Sequence, residues 1–333
     1  MKSLFGSLPL LLMACAMPAE RVQTSPAAGQ GSLFVAGKFQ NVLSKVGLAS
    51  GKAEKTIETC ANPHELAVSP DKDHVALACY GGRQIVIYDT DGLKPQKRLL
   101  LGEGARPHGI VWHSNGDLYA TAEGRKSIFW IRNPMSASPD ILEYATGKEG
   151  SHMLAVAPDG RHAWTTDLGS KTVTRIDLVT RRAPLSVEVG EEPEGIALSP
   201  DGSTLWISAR GSNMAFALDP QTLEVRDSLD TGTFPLRIVV RPQGDFAVTS
   251  DLAEGGLTVI DTETADAVRS ITVSSPQEAE TRQQVTLLLS PDGERIYVAE
   301  TRSDTVAEVD FATGEVLRRL PGTGGGDGMA IVE

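Results

Sequence analysis

The sequence predicts an all-β fold, a seven-bladed β-propeller closed by pairing the C-terminal strand with the N-terminal blade. Three observations predict it: a repeat of about 44 residues, the same strand and turn grammar inside each copy, and two chain ends that complement one another. The repeat reads HELAVSPDKD from His64, HGIVWHSNGD from His108, HMLAVAPDGR from His152, EGIALSPDGS from Glu194, LRIVVRPQGD from Leu236 and VTLLLSPDGE from Val285. The spacings of 44, 44, 42, 42 and 49 residues match a four-stranded blade. A helical solenoid or horseshoe needs another period and helix-forming segments, which the sequence does not offer.

Within each copy a short apolar strand meets a Ser-Pro-Asp-Gly type turn, as at Ser199-Pro200-Asp201-Gly202. Proline presets the backbone for the turn and glycine accepts the left-handed position. A second strand follows, such as Thr204–Ser208 or Arg295–Ala299. The third ends in an aspartate, at Asp89, Asp177, Asp219, Asp261 and Asp310. The fourth, as in Glu224–Ser228, alternates polar and apolar residues like an outer strand. Six full copies leave Gly31–Pro63, which lacks a first strand, and Gly328–Val332, which reads as an orphan first strand. Joining them makes the seventh blade and removes two free sheet edges.

The Ser-Pro-Asp-Gly turns, the second strands with Tyr or Trp between aliphatic residues, and the Ile260-Asp261-Thr262-Glu263-Thr264 connection carry a resemblance. They resemble the YVTN family of bacterial β-propellers, a relative of the lactonase-type propellers, across residues 31–333. The resemblance implies the fold; the family hosts binding proteins, cofactor-handling proteins and enzymes, so it leaves the activity open. One departure stands out. Such repeats usually end the second strand with asparagine, whereas the matching positions here are Cys79, Glu123, Asp167, Arg210, Asp251 and Glu300.

The first 15 residues hold Lys2, an apolar run and small residues, the pattern of an export signal too short to span a bilayer permanently. Leu12-Met13-Ala14-Cys15 resembles a bacterial lipobox, which makes Cys15 the expected lipid attachment point. Residues 16–30 are rich in Ala, Pro, Ser and Gln and read as a flexible tether before the propeller of residues 31–333. The expected location is the cell envelope, lipid-anchored on the periplasmic or outer-membrane side, or secretion if the lipobox is not used. A net charge of −12 with no basic cluster argues against a nucleic-acid partner. A small-molecule ligand or an envelope protein is the expected partner, the chain itself being a monomer that meets the membrane only through its lipid.

Candidate chemistry lies where the first strands start, at one mouth of the central channel. Around the ring those positions are Asp327, His64, His108, His152 and Glu194, followed by Leu236 and Val285. Three of the six histidines occupy equivalent slots, a clustering that scattered surface residues would not give. Imidazole with carboxylate is a ligand set for Zn²⁺, Fe²⁺, Mn²⁺ or Cu²⁺ rather than for Ca²⁺ or Mg²⁺. The plain alternative is a solvated channel mouth. His74, His113 and His162 fall beside turns on the opposite face and read as surface residues. Glu123 and Asp167, on the His108 and His152 blades, are candidate supporting carboxylates or general bases, and Arg210 a clamp for an anionic ligand group. As single residues, all three also read as solvated rim charges.

Arg106-Pro107-His108-Gly109-Ile110 with Thr121-Ala122-Glu123 is similar to one blade of the streptogramin-lyase-type propellers. That similarity implies histidine and glutamate around a divalent ion and lactone opening by elimination. Cys60 and Cys79 bracket the His64 strand; they read either as a structural disulfide or as thiolate ligands favouring copper or zinc. No Gly-x-Ser-x-Gly elbow, phosphate loop or CxxCH motif is present, and the glycine-rich stretch Gly322–Gly328 precedes a strand. The functional expectation is a metal or ligand site at the channel mouth, serving a metal-dependent lyase or hydrolase of a lactone or ester. The competing expectation is a non-catalytic scaffold for protein contacts at the envelope.

Overall fold

The computed structural model describes residues 29–333. The export signal with Cys15, and the tether up to residue 28, lie outside the described residues. Seven antiparallel sheets of four strands each make up the fold. Blade 1 takes its inner strand, Gly326–Val332, from the C-terminus and its other three, Ser32–Gly37, Val42–Gly47 and Lys52–Glu58, from the start of the described chain. Blades 2 to 7 follow in order, with inner strands Pro63–Val68, Pro107–Trp112, Ser151–Val156, Pro193–Leu198, Pro235–Val240 and Gln284–Leu289. The closure has a defined register, pairing Ser32 with Val332, Phe34 with Ala330 and Gly37 with Gly326. Among the described residues, no helix is long and apolar enough to cross a membrane.

The turns explain the repeated sequence grammar. In the Ser-Pro-Asp-Gly turn of blade 5, Ser199 Oγ donates to Asp201 Oδ1 at 2.6 Å, and the same carboxylate accepts from the Ser203 amide. At the third-strand ends, Asp177, Asp219, Asp261 and Asp310 accept amide hydrogen bonds from residues two or three further on. Each aspartate closes its own turn, which is the physical content of the Asp-x-x-Thr pattern.

Adjacent blades pack through one aromatic position, three residues before the second strand ends: Phe34, Tyr119, Trp164, Trp206 and Tyr297, all at most 4% exposed. These rings fill the wedge between neighbouring sheets. Trp164 Nε1 and Tyr119 Oη also donate to carbonyls of the next blade, Pro220 and Gly160.

One sequence expectation needs correction. Helix-forming segments are not absent: Pro276–Arg282 is an α-helix, capped by reciprocal hydrogen bonds between Ser275 and Glu278. Its residues account for the long 49-residue spacing between the Leu236 and Val285 copies. A Ser-Pro start followed by Glu is a helix-entry signal inside an otherwise all-strand repeat.

Candidate functional site

All seven slots predicted to ring the channel mouth are the second residue of an inner strand: His64, His108, His152, Glu194, Leu236, Val285 and Asp327. In blades 2 to 7 the pairing register slips just after the strand start, between Pro63 and Leu66 for example. This bulge lets both the second and third residues turn towards the channel. The main chain there is fixed by hydroxyls: Thr121 Oγ1 accepts from the Gly109 amide at 2.8 Å and donates to the His152 carbonyl at 2.6 Å. Thr166 does the same between the Met153 amide and the Glu194 carbonyl. Each clamp ties the strand of one site residue to that of the next.

The three histidines converge. Ring centroids are 4.7 Å apart for His64 and His108, and 3.8 Å for His108 and His152. His152 Nδ1 is hydrogen-bonded to Glu123, and its Nε2 lies 3.4 Å from Glu194 Oε1. His64 Nε2 stands 3.7 Å from Asp327 Oδ2, which Lys38 also approaches at 3.3 Å. Every slot residue with a charge or imidazole is buried. Ligand atoms of His108, Glu123 and His152 lie within 4.8 Å of one another. His108 Nδ1 is buried and has no hydrogen-bond partner.

The second-strand ends divide into two sets. Strand pairing aligns Cys79, Ala122, Asp167, Ala209, Asp251 and Glu300 as the last residues, so Glu123 and Arg210 sit one position further on. One residue of slip turns a side chain to the other face. The position after the strand is held by Lys38, Tyr80, Glu123, Leu168, Arg210, Leu252 and Thr301, and its charged members reach the histidine cluster. Tyr80 Oη donates to Glu123 Oε2 at 2.7 Å, Arg106 covers the Tyr80 ring at 4.4 Å, and Arg210 pairs with Glu194. Asp167 instead faces its own blade, accepting from Ser151, Thr165, Thr172 and Thr174. No hydrogen bond or ion pair joins it to the histidines among the described residues.

The true register was marked by Gly81, Gly124, Gly169 and Gly211, each following the rim position. A Cβ on Gly124 would lie 1.9 Å from the Gly104 carbonyl, so the chain leaving Glu123 tolerates no side chain there. Sequence reasoning gave Arg106 no role beyond its motif, and missed Tyr80, Lys38, Glu65 and Arg237. The last two are third residues of their inner strands and meet across the channel, with Arg237 Nη2 at 2.8 Å from Glu65 Oε1.

Burial drives His108 well below the ordinary imidazole range, and the neighbouring His152, His64, Arg237 and Lys38 add to the effect. Burial likewise lowers His64 despite Asp327 beside it. At His152 burial is outweighed by the Glu123 and Glu194 carboxylates, and the net shift is upward. Glu194 moves the opposite way, against burial, to about 2, under His152, Arg237 and Arg210. Burial and Glu123 push Tyr80 up to about 12, so it stays a neutral donor. Two carboxylates flanking His152 thus favour positive charge at that point.

With this geometry in place, comparison with known proteins adds the lineage. A family model described as "Lactonase, 7-bladed beta-propeller" matches residues 22–268. The chain belongs to this lactonase family of seven-bladed β-propellers. The match ends inside the outer strand of blade 6; blade 7 and the closing strand of this lactonase-family propeller are supplied by the structure. No curated protein matches the sequence. Among solved structures, a functionally unknown protein from Desulfotomaculum acetoxidans is similar at 15% identity and TM-score 0.70, covering 91% of this chain and 99% of its own. Hydrazine synthase of Kuenenia stuttgartiensis is similar at 16% identity and TM-score 0.67, covering 89% and 99%. A streptogramin B lyase is similar at 19% identity and TM-score 0.67, covering 81% and 87%. At such identities the likeness is one of fold.

Beside the site, Cys60 and Cys79 are joined as a disulfide with Cα atoms 5.7 Å apart. A bonded pair offers no thiolate. The bridge braces the turn in which the Asn62 carbonyl meets His64 Nδ1 at 3.1 Å. Replacing both cysteines by serine is expected to cost about 3 kcal/mol, given a loop of 19 residues. Denaturant unfolding with and without reductant measures this: reductant should destabilise the wild type and leave the variant unchanged.

Asp251 provides a pH test of the second set of strand ends. Burial raises its carboxyl to about 6, although Thr249 and Thr258 donate to it. A carboxyl whose folded value is raised favours folding below its unfolded value near 4 and loses that contribution as pH rises through 6. Asp251→Asn is therefore expected to raise neutral-pH stability by roughly 2–3 kcal/mol and to flatten the slope between about pH 4 and 6. Urea melts at a series of pH values check both.

Proposed function

We propose that this propeller is exported to the cell envelope, binds a divalent transition metal at the mouth of its central channel, and uses it to open a lactone, ester or similar small molecule. The ion is Zn²⁺, Fe²⁺, Mn²⁺ or Cu²⁺, held by His108, His152 and Glu123. The observation that carries this reading is the convergence of their ligand atoms within 4.8 Å, beside a buried His108 nitrogen with no other partner. Nitrogen and oxygen donors in this mixture suit a transition metal. The ion would supply Lewis-acid polarisation of a carbonyl in the bound molecule.

The chain's own residues do the rest. Glu194 stands behind His152 rather than beside His108, and two arginines hold it there. Tyr80 orients the Glu123 carboxylate through its hydroxyl, and Arg106 fixes Tyr80. Lys38 and His64 hold Asp327 at the opposite edge. Asp167, saturated by four hydroxyls, keeps a structural place within blade 4.

The test is ring opening of a panel of lactones by tag-free protein supplied with each metal. Hydrolysis adds one water to the product mass, whereas elimination leaves it unchanged, so mass spectrometry separates hydrolase from lyase. Turnover with no panel member, with metal bound, reduces the reading to a binding protein. The scaffold alternative draws on the deep burial of the cluster, which leaves protein contacts to exposed charges around it such as Arg83 and Glu103. If it holds, His108→Ala leaves partner capture untouched.

A further inference from the structure

Arg237 is a fully buried cation that the reading above leaves without a task. Its Nη1 meets Glu194 Oε1 in the neighbouring blade 5, and its Nη2 meets Glu65 Oε1 at 2.8 Å in blade 2 on the far side of the ring. The three residues are between 3% and 6% exposed. At the third inner-strand position, the remaining residues are Gly109, Met153, Gly195, Thr286 and Gly328. Glu65 and Arg237 are thus the charged pair at that level, of opposite sign and on opposite sides. Burying three charges is costly unless their geometry is held. A planar fork that reaches two carboxylates at once supplies that geometry, and a lysine ammonium does not.

We propose that Arg237 is a positioning residue: with Glu65 it forms a strut across the channel that closes the floor beneath the histidines and holds Glu194 against His152. The idea rests on the metal reading for its purpose but not for its detection. Glu194 Oε1 receives Arg237 Nη1 and lies 3.4 Å from His152 Nε2, so one oxygen links strut and imidazole. Arg210 takes the other oxygen, which leaves the carboxylate no free rotation. Carboxylates that orient a ligand histidine typically matter 10- to 100-fold for metal affinity. The strut also makes the channel blind at this level, so a ligand enters from the rim of Tyr80, Glu123 and Arg210.

Arg237→Lys keeps the charge and is the variant of choice, because Arg237→Met strands two buried carboxylates and risks unfolding. Glu65→Gln removes only the far anchor. The reporter is the ring nitrogen spectrum of ¹⁵N-histidine-labelled protein without metal. Arg237→Lys and Glu65→Gln should shift the His152 resonances and leave those of His74, His113 and His162 in place. Zn²⁺ titration of the same proteins should show affinity about tenfold weaker in Arg237→Lys. Val46→Ala, a core change in blade 1 whose apolar cluster holds no residue of blades 2, 5 or 6, is the control for lost stability and should alter neither readout. Unmoved His152 resonances in both variants would overturn the strut. Absence of Zn²⁺ binding by wild type, with the resonances shifting as expected, would overturn the metal reading alone.

Discussion

Deleting Gly326–Glu333 is expected to abolish cooperative folding. Those residues are not a tail but the inner strand of blade 1, antiparallel to Ser32–Gly37 and buried at Met329 and Ala330. Their removal strips cover from Leu33 and Val35, both fully buried, and exposes an unpaired edge on the central channel. Each large apolar side chain returned to water costs about 1.5–3 kcal/mol, and the lost ladder leaves backbone groups without partners. Three or four such losses approach the whole stability of an ordinary domain, about 5–15 kcal/mol. The deletion also removes Asp327, so Lys38 and His64 lose their shared carboxylate. A thermal melt followed by circular dichroism should show no sharp transition. A melt with an unchanged midpoint would mean that the ring does not depend on this closure.

The second large effect concerns the candidate metal site. His108→Ala combined with His152→Ala is expected to weaken Zn²⁺ binding by about 10⁴-fold. Four-ligand zinc sites yield about 10–16 kcal/mol, so each lost ligand removes about 3 kcal/mol, or roughly 100-fold. The fold should survive, because both rings line the channel rather than the wedges between blades. Isothermal titration beside a thermal melt separates the two effects. Retained affinity would place the ion elsewhere, and a collapsed melt would make the histidines structural.

The fold was legible in the sequence because a propeller repeats its chemistry. Each Ser-Pro-Asp-Gly and Asp-x-x-Thr segment closes its own turn with local hydrogen bonds, so short motifs sufficed to place strands. The slots of His64, His108 and His152 were legible for the same reason. What escaped depends on register. The bulge at the start of the inner strands turns two successive residues inward, so Arg237 and Glu65 were hidden beside Leu236 and His64. Glu123 and Asp167 looked equivalent, yet one lies past its strand and meets His152, while the other ends its strand and meets hydroxyls. Tyr80 carried no charge to draw notice; the glycine after it was the only cue.

Counting metal ions per chain puts the central claim to its most direct trial. Tag-free protein, loaded with Co²⁺ and dialysed, should retain one ion per chain with an absorption spectrum of nitrogen and oxygen ligation. Glu123→Ala, with a thermal melt recorded beside the wild type to check its fold, should retain almost none. Wild type that retains no ion, or Glu123→Ala that retains as much as wild type, would contradict a metal held by His108, His152 and Glu123.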